Sequence, residues 1–160
     1  MLNITLLCTG RLREAHYIAA FAEYQKRLRP YCRFTCTELP EERLAQNPSA
    51  SEIAAALAKE AAAIEKHIPA GAYTTALCIE GGQLSSEEFS ALLQNCACSG
   101  KSQLCFLIGS SFGLDEALKQ RCDRRLSLSK MTFPHHLARV MLAEQIYRGI
   151  MINEGSRYHK

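Results

Sequence analysis

Two rhythms alternate along this chain. Short apolar or alternating runs bounded by turn-forming residues predict strands at Asn3–Cys8, Tyr31–Leu39, Ala72–Ile79, Ser102–Ile108 and Arg125–Leu128. Between them apolar residues return at three- and four-residue steps. Tyr17, Ile18, Phe21, Ala22 and Tyr24 mark a helix over Glu14–Leu28 that Pro30 stops. An Ala-rich helix starts at Ser49 or Ser51, with Glu52 favouring its first turn, and ends near His67. Ser85 or Ser86, followed by Glu87 and Glu88, opens a third helix that closes near Cys98-Ser99-Gly100, and a short fourth one begins near Leu114. Pro40–Pro48 is polar and aperiodic, hence a surface loop, and Glu80-Gly81-Gly82 is expected to be a turn.

The last third, Leu126–Lys160, departs from this alternation. A brief strand passes through a polar elbow closed by Pro134 into one long helix, predicted to be amphipathic. Leu137, Val140, Met141, Glu144, Ile146, Tyr147 and Ile150 recur at helical spacing, with Arg139 and Arg148 on or beside that stripe. A proline before the first turn removes an amide that would be unpaired anyway. The preceding Ser129, Lys130, Met131 and Thr132 leave backbone amides free to meet a ligand.

Strands that alternate with helices imply an α/β sheet covered on both faces, with ligands bound where strands end in loops. Three strand ends stand out: Leu77–Gly82, Ile108–Gly113 and Leu128–Pro134. The continuous apolar run up to Ile108 marks a central parallel strand. A length of 160 residues is that of a single domain, 1–160, able to bury a real core.

Charge changes the picture by its distribution. Lys119–Lys160 holds nine Lys or Arg against three acids and so carries +6, whereas Met1–Leu118 carries −3, which together make the overall +3. A polyanion such as RNA is a reasonable partner for the basic end; a solvated helix face with scattered Arg is the plainer alternative. No secretory leader is expected, because Leu2–Cys8 is short and runs straight into Arg11, Arg13 and Glu14, and no apolar run is long enough to cross a membrane. The eight cysteines are expected to be reduced thiols in a cytoplasm. Cys8, Cys78 and Cys105 lie in strand-like runs where Cys packs as a small hydrophobe. Cys32 with Cys36, and Cys96 with Cys98, are poor zinc half-sites, since neither is CxxC and no His is suitably spaced.

Gly109-Ser110-Ser111-Phe112-Gly113 follows a strand and precedes a helix, the setting of a nucleotide site, but it is neither GxGxxG nor a P-loop. It either lets a ligand approach the backbone closely or is a plain strand-to-helix turn. His135 and His136 stand at a helix N-terminus, which disfavours the charged imidazole. One of them is a candidate general base or RNA contact, and a capping or surface pair is the alternative. Glu144 is spaced to form a helical ion pair with Arg148.

Together, LCFLIGSSFGL (Leu104–Leu114), LSLSKMTFPHHLARVMLAEQIYR (Leu126–Arg148) and the terminal Tyr-His-Lys resemble the RlmH-type bacterial ribosomal large-subunit methyltransferases, which belong to the SPOUT methyltransferases. The likeness covers the whole chain and is most specific from Leu104 onward. It implies an α/β sheet whose C-terminal part, about residues 104–160, is tied in a trefoil knot, a homodimer, and methylation of N3 of a pseudouridine in 23S ribosomal RNA on the assembled ribosome with S-adenosylmethionine. Topological rules alone would have argued against a knot.

By motif, the resemblance implies that Leu77, Gly109, Leu128, Ser129, Lys130, Met131, Thr132 and Phe133 cradle the cofactor. It further implies that His159, Tyr158 and Arg139 serve the chemistry and that Arg148 and Lys160 face the RNA; Arg157 in the tail and His135 at the helix start are candidate RNA contacts by position. No metal is implied. The chain departs from the family at Ser110, where Gly is usual, and at Arg157, where Pro is common before the terminal Tyr-His. A SPOUT enzyme acting on tRNA, a non-catalytic ribosome- or RNA-binding factor, and a thiol-rich redox or zinc protein are the competing expectations.

Overall fold

A computed structural model describes all residues from Met1 to Lys160. Five strands, β1 (Leu2–Thr9), β2 (Cys32–Leu39), β3 (Tyr73–Gln83), β4 (Gln103–Ile108) and β5 (Arg124–Ser127), form one sheet in the order β2-β1-β4-β3-β5. Every pairing is parallel. The helices are α1 (Ala15–Leu28), α2 (Ala50–Glu65), α3 (Ser86–Cys98), α4 (Glu116–Arg121) and α5 (His135–Asn153), followed by a single 3₁₀ turn at Arg157–His159.

Successive side chains of a strand face opposite ways, so a strand buried on both faces feeds two cores. Ile4, Leu6 and Cys8 of β1, with Leu104, Phe106 and Ile108 of β4, join a core made with α1, α3 and α5. Leu7, Cys105 and Leu107 point the other way, into a core with Ala61 and Ile64 of α2 and Leu118 of α4. The expected α/β layering is thus present, with β4 at the centre of the sheet. Ser49 caps α2 and Ser85 caps α3. Each accepts from the amide three residues on while the Glu at that position returns the bond, which settles both open choices of first residue.

Two expectations need correction. Glu80-Gly81-Gly82 is not a turn: β3 continues to Gln83 through a bulge, so that Leu126 of β5 faces both Leu77 and Gly82. A β-carbon on Gly81 would lie 2.7–2.8 Å from the Arg125 and Leu126 backbone, so glycine lets the bulge sit against β5. The fourth helix begins close to where it was expected, at Glu116 on an Asp115 cap, with Leu114 just before it drawn into the core beneath α2 and α4. Finally, α5 is not an amphipathic surface helix. It packs against both α1 and α3, so Ala138, Arg139, Leu142, Ala143, Ile146 and Gly149 are all buried and little of its circumference is wet.

Candidate functional site: a cleft at the ends of three strands

The bulged stretch of β3 and the loops after β4 and β5 enclose a cleft of about 550 Å³. One wall is Leu77, Cys78 and Ile79; the floor is Ile108 to Ser111 with Gly113; the other wall is Ser127 to Ser129 with Met131 to Pro134; His135 and Ala138 of α5 close one end. Its apolar share, with backbone at close range on two sides, suits a flat heterocycle bearing a polar tail.

Gly109 is required by geometry. The loop doubles back so tightly, Gly113 N–H donating to Ser110 O at 2.9 Å, that a β-carbon on Gly109 would lie 2.1 Å from the Gly113 carbonyl oxygen. The loop after β5 is held from within: the buried Ser127 hydroxyl donates to Ser129 O at 2.8 Å, and Met131 N–H donates to Ser129 Oγ at 3.0 Å. Met131 is 73% exposed at the rim. Of the residues expected to cradle a cofactor, Leu77, Gly109, Leu128, Ser129, Met131, Thr132 and Phe133 line this cleft. Lys130 is exposed and is not among its lining residues, since the loop turns that side chain towards solvent.

Ser110 lines the cleft, but its hydroxyl donates to Glu60 Oε2 at 3.0 Å. His135 lies half-buried between this cleft and a second cavity. Burial, and then the neighbouring His136, hold its pKa below the usual histidine value. His136 Nδ1 instead lies 3.0 Å from Glu14 Oε2.

The other candidate residues lie elsewhere. Arg139 is 1% exposed and is absent from the cleft lining. Its Nη1 donates to Glu38 Oε1 at 2.6 Å and its Nη2 to Gly10 O at 2.9 Å. The tail folds back on the middle of α5. Tyr158 O–H donates to Glu144 Oε1 at 3.2 Å, and Arg148 donates to the same oxygen at 2.6 and 2.9 Å. The Arg148 guanidinium lies 4.9 Å from the Tyr158 ring centroid. Burial first, then a hydrogen bond with Tyr24, push the Tyr158 phenol up to about 12. His159 Nε2 lies 2.6 Å from Glu87 Oε1, while Arg157 and Lys160 are exposed. No residue of the tail lines the cleft of its own chain, and Tyr158 meets α5 at Glu144, about 9 Å of helix rise beyond Ala138.

The second cavity, of about 800 Å³, was not legible in the sequence. Gly10, Arg11 and Arg13 after β1, Glu38 at the end of β2, Glu41 to Ala45 of the aperiodic loop, and Glu60 surround it, and it shares Ser110, Ser111 and His135 with the cleft. The only signal was negative: a loop with no rhythm beside a strand end.

A parallel α/β sheet with an apolar, glycine-backed cleft at the ends of three strands defines a protein that binds a nucleotide-like ligand through loop backbone. The chain matches the family described as "Predicted SPOUT methyltransferase" over residues 2–159, and it belongs to that family. It is similar along its length to proteins named "Ribosomal RNA large subunit methyltransferase H". The one from Clostridium kluyveri is 45% identical over 159 residues, 99% of this chain and 100% of that protein. The one from Moorella thermoacetica is 42% identical over 160 residues, 100% of both. Among solved structures, a probable methyltransferase from Bordetella pertussis Tohama I superposes with a TM-score of 0.60 at 13% identity, covering 93% of this chain and 96% of that one, a likeness of fold. No helix is long and apolar enough to cross a membrane, and no group of three or more His, Cys, Asp or Glu is placed to hold a metal ion.

Proposed function

We propose that this protein transfers the methyl group of S-adenosylmethionine to N3 of a pseudouridine in 23S ribosomal RNA of the assembled ribosome, as a cytoplasmic homodimer. The observation that carries this reading is the strand-end cleft, in a chain that aligns end to end with large-subunit ribosomal RNA methyltransferases. Its size and apolar walls, Leu77, Ile108, Leu128 and Phe133, fit an adenosine, and the amides and carbonyls of 128–133 are the natural partners of the adenine edge. The trefoil knot in 104–160 is part of the proposal, supported by family membership and by the path of α5, which leaves the edge strand β5 and crosses to pack on α1 and α3.

When bound, the cofactor supplies an electrophilic methyl on sulfur. The protein's part is to orient N3 in line with that carbon and to accept the imide proton, contributions of the kind made by positioned groups and a general base. His159 is proposed as the base and Tyr158 to help orient the substrate, with Arg139 supporting the site from the interior. Arg148, Arg157, Lys160 and His135 are proposed to meet the RNA, and Lys130 to contribute from the rim. None of the tail residues lines the cleft of its own chain. In a dimer it would therefore serve the cleft of the other chain, which gives a reason for the homodimer.

The test is calorimetric titration with S-adenosylmethionine, together with methyl transfer to ribosomes lacking the modification and to tRNA. Binding with transfer to the large-subunit pseudouridine is expected; transfer to tRNA alone would move the substrate. Absence of binding would leave a non-catalytic RNA-binding factor, the reading that the departure from glycine at Ser110 favours. The commitment of the Ser110 hydroxyl to Glu60 argues against that reading, because the departure from glycine leaves the cleft open.

A further inference from the structure

Glu60 is the one acidic side chain that is buried, at 5% exposure, on a helix whose other buried residues are Ala56, Ala61 and Ile64. An isolated carboxylate is expensive there, and an apolar side chain would pack without that cost. Burial raises its pKa, and the charges of Glu41 and Glu42 push the same way. What holds the carboxylate is one donor on each oxygen. Oε1 accepts the Glu42 amide at 3.0 Å, and Oε2 accepts the buried Ser110 hydroxyl at 3.0 Å. Those two donors belong to different loops. Ser110 follows β4 and lines both the cleft and the second cavity, whereas Glu42 follows β2 and lines the second cavity alone.

We propose that Glu60 is a positioning residue that ties the loop 40–48 to the cofactor loop 109–113, so that filling the cleft sets the shape of the neighbouring cavity. The cofactor half of this inference rests on the function proposed above; the tie between the loops does not. If the cleft holds the methyl donor, the cavity that shares Ser110, Ser111 and His135 with it is where a second reactant would come closest. An ordered loop 40–48 would then form only once the cofactor loop is in place. The Ser110 hydroxyl supplies the donor this tie needs.

Amide hydrogen exchange on the whole protein tests it, comparing the native chain with Ser110→Ala and Glu60→Gln. Ser110→Ala removes one donor and keeps the acid. Glu60→Gln keeps the volume but turns an amide NH₂ towards one of the two donors. Both variants are expected to speed exchange at Glu42–Ala45 by roughly tenfold and to leave the amides of β1 and β4 unchanged. S-adenosylmethionine is expected to slow exchange at Glu42–Ala45 in the native chain and to do so far less in Ser110→Ala. Unchanged exchange at Glu42–Ala45 in ligand-free Ser110→Ala would overturn the tie, whatever the cofactor does. Equal slowing by cofactor in the native chain and in Ser110→Ala would overturn the coupling. If both variants loosen the loop while calorimetry finds no cofactor binding, the tie is supported and the function proposed above fails.

Discussion

Arg139 and Glu38 stand 101 residues apart in the chain and 2.6 Å apart in the fold, with Arg139 buried at 1% side-chain exposure and Glu38 at 33%. The pair joins α5 to the end of β2, and a second bond from Arg139 to Gly10 O brings in the end of β1. The two partners are unequally solvated, which makes the interaction directional. Removing Glu38 strands a fully buried cation, whereas removing Arg139 leaves a carboxylate that water can reach.

Glu38→Ala is therefore expected to cost about 3–5 kcal/mol of stability and Arg139→Met less, about 1–2 kcal/mol, since Met refills part of the volume. Urea unfolding of both variants checks this. An equal cost would mean that packing, and not the stranded charge, dominates.

Gly109→Ala places a β-carbon where the Gly113 carbonyl oxygen already lies. The loop must open, at a cost of about 1–3 kcal/mol, and cofactor affinity should fall at least roughly tenfold. Calorimetry together with thermal melting separates loss of the site from loss of the fold. Unaltered affinity would show that this loop does not shape the binding cleft.

His135 links pH to stability. Its folded pKa lies below the ordinary value, chiefly through burial, so in the window beneath that value the unfolded chain holds more protons than the native one. Stability should rise with pH up to the ordinary histidine value, about 6.5, and be lost as pH falls below it. His135→Gln should flatten that acid limb, below about pH 6.5, in urea titrations. An undiminished slope would assign the limb to another group.

Deleting residues 157–160 removes Tyr158 and His159 but none of the groups that line the cleft. Cofactor affinity is expected to change less than about twofold, while methyl transfer falls by at least on the order of 10²-fold, the contribution of a positioned general base. His159→Ala and Tyr158→Phe tested singly then show which side chain carries the loss. A truncated chain that still turned over normally would remove the tail from the mechanism.

Much of the fold could be read in advance because it is written in local rhythm. The apolar runs at Ile4–Cys8 and Leu104–Ile108, the Ser49 and Ser85 caps, and Pro30 and Pro134 each act within a few residues of themselves. Local periodicity needs no partner to be visible. The loops after β4 and β5 that meet in the cleft followed from the same logic, because in a parallel sheet the loops at the carboxyl ends share one edge.

What the sequence by itself determined is the alternation of strands and helices, the caps and breaks that bound them, the glycine at 109, and the loops from which a cofactor site would be built. Only the tertiary structure decided how far α5 is buried, that β3 bulges where Gly81 meets β5, that Arg139 turns to Glu38, and that Glu60 joins two loops. Each of these depends on contact between segments remote in the chain. Whether a helix face is wet, or a buried charge finds its partner, is set by what packs against it, and that is not written in the spacing of its own residues.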